Sequence, residues 1–141
     1  MLKDRDEVAL ATMEQLRILL KGIRSARLNH NVEFTYNESL IMATIRDDPT
    51  LTSTDLAAVV HSDKSTISRQ LAQLEKRGYL KRERRSDNQR EKDLIVTPAG
   101  RAALEASDAT WARITSARLE GWSQREMSDF LALLAKYNAH G

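Results

Sequence analysis

Met13, Leu16, Leu20 and Ile23 recur at steps of three, four and three in a polar stretch, so they form one stripe if the segment is helical. The spacing predicts an amphipathic helix over roughly Arg5 to Leu28. Thr35 and Glu38 have capping-box spacing, in which hydroxyl and carboxylate each take an exposed backbone N–H. Leu40, Ile41 and Ile45 then follow on a helical period to about Arg46. Pro49 lacks an N–H and pushes Asp48 out of helical geometry, so this second helix stops there. Thr52 and Asp55 repeat the capping spacing ahead of Leu56, Val59 and Val60, the apolar face of a short helix. After His61 and Ser62, a helix over Asp63 to Arg77 places Ile67, Leu71 and Leu74 at i, i+4 and i+7. Gly78 ends it, because glycine accepts the left-handed backbone.

From Tyr79 the helical period vanishes. The stretch YLKRERRSDNQREKDLIVT reads as two strands around a polar turn, a hairpin standing as a wing beside a helix-turn-helix. Thr97 caps a fifth helix with Pro98 at its first position, running to about Leu119. Ser123 with Glu126 caps a sixth, with Met127, Phe130, Leu131, Leu134 and Tyr137 as its apolar face. The predicted fold is mainly α with a small β wing. It forms a single domain over 1–141, in which a winged helix-turn-helix lobe (36–97) is flanked by helical segments at 1–30 and 98–141.

A net charge of +2 over 141 residues says little until it is divided. Between His61 and Lys92 stand ten Lys and Arg against five Asp and Glu, a local +5, while the remainder carries −3. A basic segment on a slightly acidic body suits a polyanion, although a solvated charged hairpin has the same count. Absence of cysteine excludes a disulfide framework, a thiolate zinc site and a thiol redox switch. Neither an export signal nor a run of about 20 apolar residues is present, so the reading is a cytoplasmic protein without a membrane partner.

Turning the Asp63–Arg77 helix by about 100° per residue sets Ser65, Arg69, Ala72, Gln73 and Lys76 opposite Ile67, Leu71 and Leu74. A strip of short hydrogen-bonders and long cations suits the major groove, where Arg pairs guanine bidentately and Gln pairs adenine. Lys64, Ser65 and Thr66 occupy the first turn, where free N–H groups and the helix dipole favour a phosphate. Arg84, Arg85 and Arg90 bracket the wing tip, with Lys81, Arg82 and Lys92 on its stems. Arginine suits the focused negative potential of a narrow minor groove. The plain alternative is that these residues only start a helix and solvate a hairpin.

The run from Leu51 to Leu104 resembles the winged helix-turn-helix core of the MarR family. The resemblance is most specific at Leu74, Glu75, Gly78, Tyr79 and Leu80, at the acid-then-Arg wing turn, and at Thr97 with Gly100. It implies double-stranded DNA as partner, with Ser65, Thr66, Ser68 and Arg69 at base-reading or phosphate-contacting positions and Arg90 as the wing arginine. In one departure, the family's Asp two residues before that arginine is here Asn88, with Asp87 one residue earlier. The resemblance also implies a homodimer built from the first and last helices, which agrees with long apolar stripes that lack a partner surface. It implies a pocket for an aromatic or phenolic acid where those helices meet the DNA-binding lobe. The nearest candidates are Arg24, Arg27, His30, Tyr36 and Trp111: cations to pair a carboxylate, and an apolar wall. The regulator is expected to act as a repressor.

Enzyme motifs are missing: there is no G-x-G-x-x-G, P-loop, G-x-S-x-G or H-E-x-x-H. His30, His61 and His140 are scattered, so neither a metal nor a cofactor is expected. Trp111 and Trp122 read as core or dimer interface. The competing classes are a winged-helix protein-interaction module without DNA binding and, more weakly, an RNA binder, since a helix cannot enter the A-form major groove.

Overall fold

The computed structural model describes residues 4–84 and 92–141, the Lys92 side chain excepted. The elements are α1 (Arg5–Asn29), α2 (Tyr36–Asp47), α3 (Ser53–Val59), α4 (Lys64–Lys76), β1 (Leu80–Arg84), β2 (Lys92–Val96), α5 (Pro98–Arg118) and α6 (Gln124–Asn138). The chain divides into two compact units, Met1–Asp108 and Ala109–Gly141, with the division inside α5. Among the described residues no helix is long and apolar enough to cross a membrane.

In the first unit α2, α3, α4, the wing and the start of α5 enclose one core, with Phe34, Ile41, Met42, Leu56, Ile67, Leu71, Leu74, Leu94 and Leu104 essentially inaccessible. The expected faces of α2 and α4 are the buried ones. On α3 the inward residues are Leu56, Ala57 and Val60. Val59, expected inside, is 53% exposed, because the last turn of so short a helix presents only one side to the core. Strands β1 and β2 pair antiparallel from Leu80↔Val96 to Arg84↔Lys92, and their inward residues close the core beside α4. The face that α1 turns outward stays bare: no α1 residue is buried, and Met13 and Leu20 are 42% and 62% exposed. In the second unit Trp122 and Phe130 meet edge to face at 5.4 Å, and Leu131, Leu133 and Tyr137 of α6 are likewise exposed.

Helix ends follow their sequence signals with one change. Thr52 with Asp55, and Ser123 with Glu126, form complete capping boxes. Thr35 accepts from the Glu38 N–H, but the return bond of the expected box is absent, because the Glu38 carboxylate is committed to Arg77. The end of α4 is a Schellman turn. Tyr79 N–H reaches Leu74 O, Gly78 N–H reaches Glu75 O, and Gly78 sits at φ +81°. The same pair of bonds ends α1 at Asn31 (φ 50°) and α3 at His61 (φ 52°), left-handed positions occupied without glycine.

Candidate nucleic-acid interface

Helix α4 follows α3 after a four-residue turn, and its three apolar side chains fix its rotation: Ile67, Leu71 and Leu74 are at 0% exposure. Lys64, Ser65, Ser68, Arg69, Ala72, Gln73 and Lys76 therefore project outward as an exposed strip, with Thr66 half-buried beside them. The strip has the length and chemistry to lie in a major groove.

The first turn of α4 differs from an open anion site. Asp63 is its N-cap and accepts from the Thr66 backbone N–H at 2.8 Å, the Thr66 hydroxyl at 2.6 Å and the Ser65 hydroxyl at 2.7 Å. The two Thr66 bonds, hydroxyl then backbone, followed by the Ser65 hydroxyl, hold the Asp63 carboxyl well below the usual carboxylate range. A fixed negative charge thus stands where the sequence suggests a phosphate. Thr66 Oγ also accepts from Arg69 at 3.4 Å, so the acid, the hydroxyl and the guanidinium form a short relay along the exposed face.

The wing stem carries Lys81, Arg82 and Arg84 on β1. Arg82 turns back to Glu75 of α4 at 2.8 Å, and Lys81 pairs with Glu83 of its own strand at 2.7 Å. Arg84, at the outer end of β1, is exposed. Arg85 and Arg90, expected at the wing tip, lie outside the described residues.

Sequence reasoning missed a polar cluster at the other end of α4. Arg77, its C-cap, sends one nitrogen to Glu38 at 2.5 Å and the other to Glu33 at 2.6 Å and to the Glu33 carbonyl at 3.0 Å. The guanidinium lies 5.5 Å from the Phe34 ring centroid and 5.2 Å from that of Tyr79. The hydrogen bond from Arg77 leads the causes that lower the Glu33 pKa, followed, after an opposing burial effect, by the Tyr79 hydroxyl, 3.0 Å away. The available signal was two glutamates flanking Phe34 and a cation beside the glycine stop, which spacing alone cannot join.

Of the expected effector residues, Arg24, Arg27, His30 and Tyr36 lie in the first unit. Arg24, His30 and Tyr36 are exposed, Tyr36 by 73%, and Arg27 donates to the Phe34 carbonyl at 3.0 Å. Trp111 belongs to the second unit. Two shallow concavities of about 520 and 720 Å³ lie in that unit, one lined by Trp122, Phe130 and Leu133, the other by Arg113, Leu119 and Met127. None of the five expected residues lines either. Among the described residues no cluster of His, Asp and Glu could hold a metal ion.

Residues 34–92, which span α2, the helix-turn-helix and the wing as far as the first residue of β2, match the model of the MarR family. No curated protein matches the sequence significantly. Among solved structures, the fold is similar to that of MarR (23% identity, TM-score 0.78, 92% of this chain and 96% of that one). It is also similar to a probable transcriptional regulator from Pseudomonas aeruginosa (26%, 0.67, 89% and 98%). A third is the PcaV transcriptional regulator from Streptomyces coelicolor, in complex with its natural ligand (21%, 0.73, 99% and 98%). The family match falls on the segment whose outward helix face and wing have the chemistry of a DNA reader, and the likeness in fold extends over nearly the whole chain. The segment 34–92 is of the MarR family, a family of DNA-binding winged helix-turn-helix transcriptional regulators that are not enzymes, and the chain around it has the fold of those regulators.

Proposed function

We propose that this regulator acts in the cytoplasm as a homodimeric repressor that binds a pseudo-palindromic operator, one α4 per half-site. The observation that carries the reading is the outward strip of α4, with Ser65, Ser68, Arg69 and Gln73 exposed over a fully buried apolar face. In the proposal the lobe 36–97 reads DNA, with Lys64 and Thr66 at backbone positions and Arg84, Arg85 and Arg90 beside an adjacent minor groove. The helical segments 1–30 and 98–141 supply the dimer surface. Uncovered apolar side chains on α1 and α6 support this, since such faces need a partner to leave water. Bound across a promoter, the dimer blocks transcription by occupying it.

Release by a small aromatic or phenolic acid completes the proposal, with Arg24, Arg27, His30, Tyr36 and Trp111 as the residues to probe. Support comes from the cations at the end of α1 and from the relative in complex with its natural ligand. Selecting duplexes from a random pool with the pure protein tests the core of it. A two-fold symmetric motif with half-sites about 10 bp apart is expected. A motif without symmetry, or tight binding by a monomer, overturns the dimer reading. Failure to enrich any motif returns the chain to a winged-helix interaction module.

A further inference from the structure

We infer that Arg77 is a positioning residue for DNA recognition, locking the end of α4 and the root of the wing to the loop that leaves α1. The inference rests on the reading that α4 faces DNA. Arg77 bridges parts of the chain about 40 residues apart: Glu33 and Phe34 in the α1–α2 loop, Glu38 on α2, and Tyr79 at the start of the wing. The Phe34 and Tyr79 rings, edge to face at 5.3 Å, form the platform under its guanidinium. On the far side, Arg27 of α1 holds the Phe34 carbonyl, so one chain of contacts runs from α1 through the loop to α4. Nearer the middle of α4, Asn37 donates to Gln70 at 2.8 Å, a second tie between the helices.

This geometry suits orientation and not phosphate contact. Two carboxylates answer the single charge of Arg77, and its side chain is only 29% exposed. The planar fork satisfies two acids and a carbonyl at once, a pattern that fixes angle as well as distance and that a lysine cannot reproduce. The apolar face of α4 anchors the helix to the core without Arg77. Loss of the clamp therefore leaves the lobe folded while widening the range of tilts that α4 adopts, and binding a groove then has to reorder it.

The test uses two substitutions of opposite charge effect. Arg77→Met removes a cation and Glu38→Gln removes an anion, so simple attraction to DNA predicts that they act in opposite directions. A positioning role predicts that both weaken operator binding by about tenfold, that mixed-sequence duplex is bound nearly as before, and that the double variant is no worse than Arg77→Met. The dependence of operator affinity on salt should keep its slope in both, and Arg77→Lys should fail to restore affinity. An increase in operator affinity in Glu38→Gln, a salt slope lower by about one in Arg77→Met, or unchanged operator binding in both overturns the inference. If Arg77→Met does not fold, Glu33→Gln and Glu38→Gln still decide it: both remove an anion, so simple attraction predicts tighter DNA binding in each, whereas a positioning role predicts weaker operator binding in each. Failure of the underlying reading looks different, because Arg69→Ala would then also leave DNA binding unaltered.

Discussion

Replacing Gly100 by alanine sets two physical effects against each other. Gly100 is the third residue of α5, and its N–H donates to the Thr97 hydroxyl at 3.0 Å. Helix propensity alone favours alanine by about 1 kcal/mol. Against this, a Cβ built on Gly100 falls 2.1 Å from the Tyr79 carbonyl oxygen, 2.9 Å from its carbon and 3.0 Å from Met42 Cε. The methionine tip can rotate away. The Tyr79 carbonyl cannot, because it accepts from Thr97 N–H at 3.1 Å and opens the wing. Reaching ordinary contact needs a shift of over 1 Å, which costs the about 1–3 kcal/mol of an overpacked site and about 1 kcal/mol for the Thr97 bond. The net expectation for Gly100→Ala is a loss of about 1–3 kcal/mol, or a fall in Tm of roughly 3–12 °C. Thermal unfolding at fixed protein concentration measures it, with Ala102→Gly on the exposed face of the same helix as the control for propensity. A Gly100→Ala protein as stable as the parent, or more stable, would refute the steric argument.

Arg69→Ala should cost about 1–3 kcal/mol in operator binding and relax preference at one position per half-site, as competition with single-base operator variants would show. Asp63→Asn should keep the N-cap while removing a negative charge from the DNA-facing end of α4, so mixed-sequence duplex should bind more tightly; weaker binding would place Asp63 away from the phosphates. The same substitution tests a pH effect: with its folded pKa depressed, Asp63 stabilises fully above the unfolded value of about 3.9 and loses this as pH falls from there through the lower folded value, so over that interval stability should fall less steeply with acid in Asp63→Asn. Salicylate and similar acids should quench tryptophan fluorescence saturably and release operator; binding without release would separate a pocket from regulation.

The periodic parts of the molecule were legible in the sequence. Apolar spacing fixed the inward faces of α2 and α4, the cap residues marked α3 and α6, and Gly78 marked the end of α4. Each is a local signal, carried by residues within a turn or two of one another. Left-handed ends at Asn31 and His61 were a weaker signal than glycine, since Asn and His take that conformation more readily than other side chains but adopt ordinary backbone far more often. Glu38 shows the deeper limit. Its spacing from Thr35 is right for a capping box, yet a cation 39 residues away takes its carboxylate. Gly100 was visible as a motif position, but its reason, a carbonyl against its face, depends on how β1 packs on α5.

The same distinction decides how the basic segment acts on DNA. Sequence counts every Lys and Arg between His61 and Lys92 as equivalent, whereas the fold sorts the described ones. Arg77 and Arg82 are spent on acids of the lobe at short distances with side chains only 29% and 23% exposed, and so are withheld from a polyanion. Lys81 holds Glu83 in an exposed pair, which a phosphate displaces at a cost of under about 1 kcal/mol. Lys64, Arg69, Lys76 and Arg84 carry no ion pair among the described residues. Each cation that neutralises a phosphate contributes about 0.9 to the slope of log affinity against log salt. Neutralising Arg84 or Lys64 should therefore lower the slope by about 0.9 per occupied half-site. Arg82→Gln should leave the slope within error and reduce thermal stability instead, since it strands Glu75. Equilibrium titrations with mixed-sequence duplex at several salt concentrations measure all three. Equal losses of slope in Arg82→Gln and Arg84→Gln would mean that DNA draws Arg82 away from Glu75, and that local charge count, not the paired geometry, governs attraction.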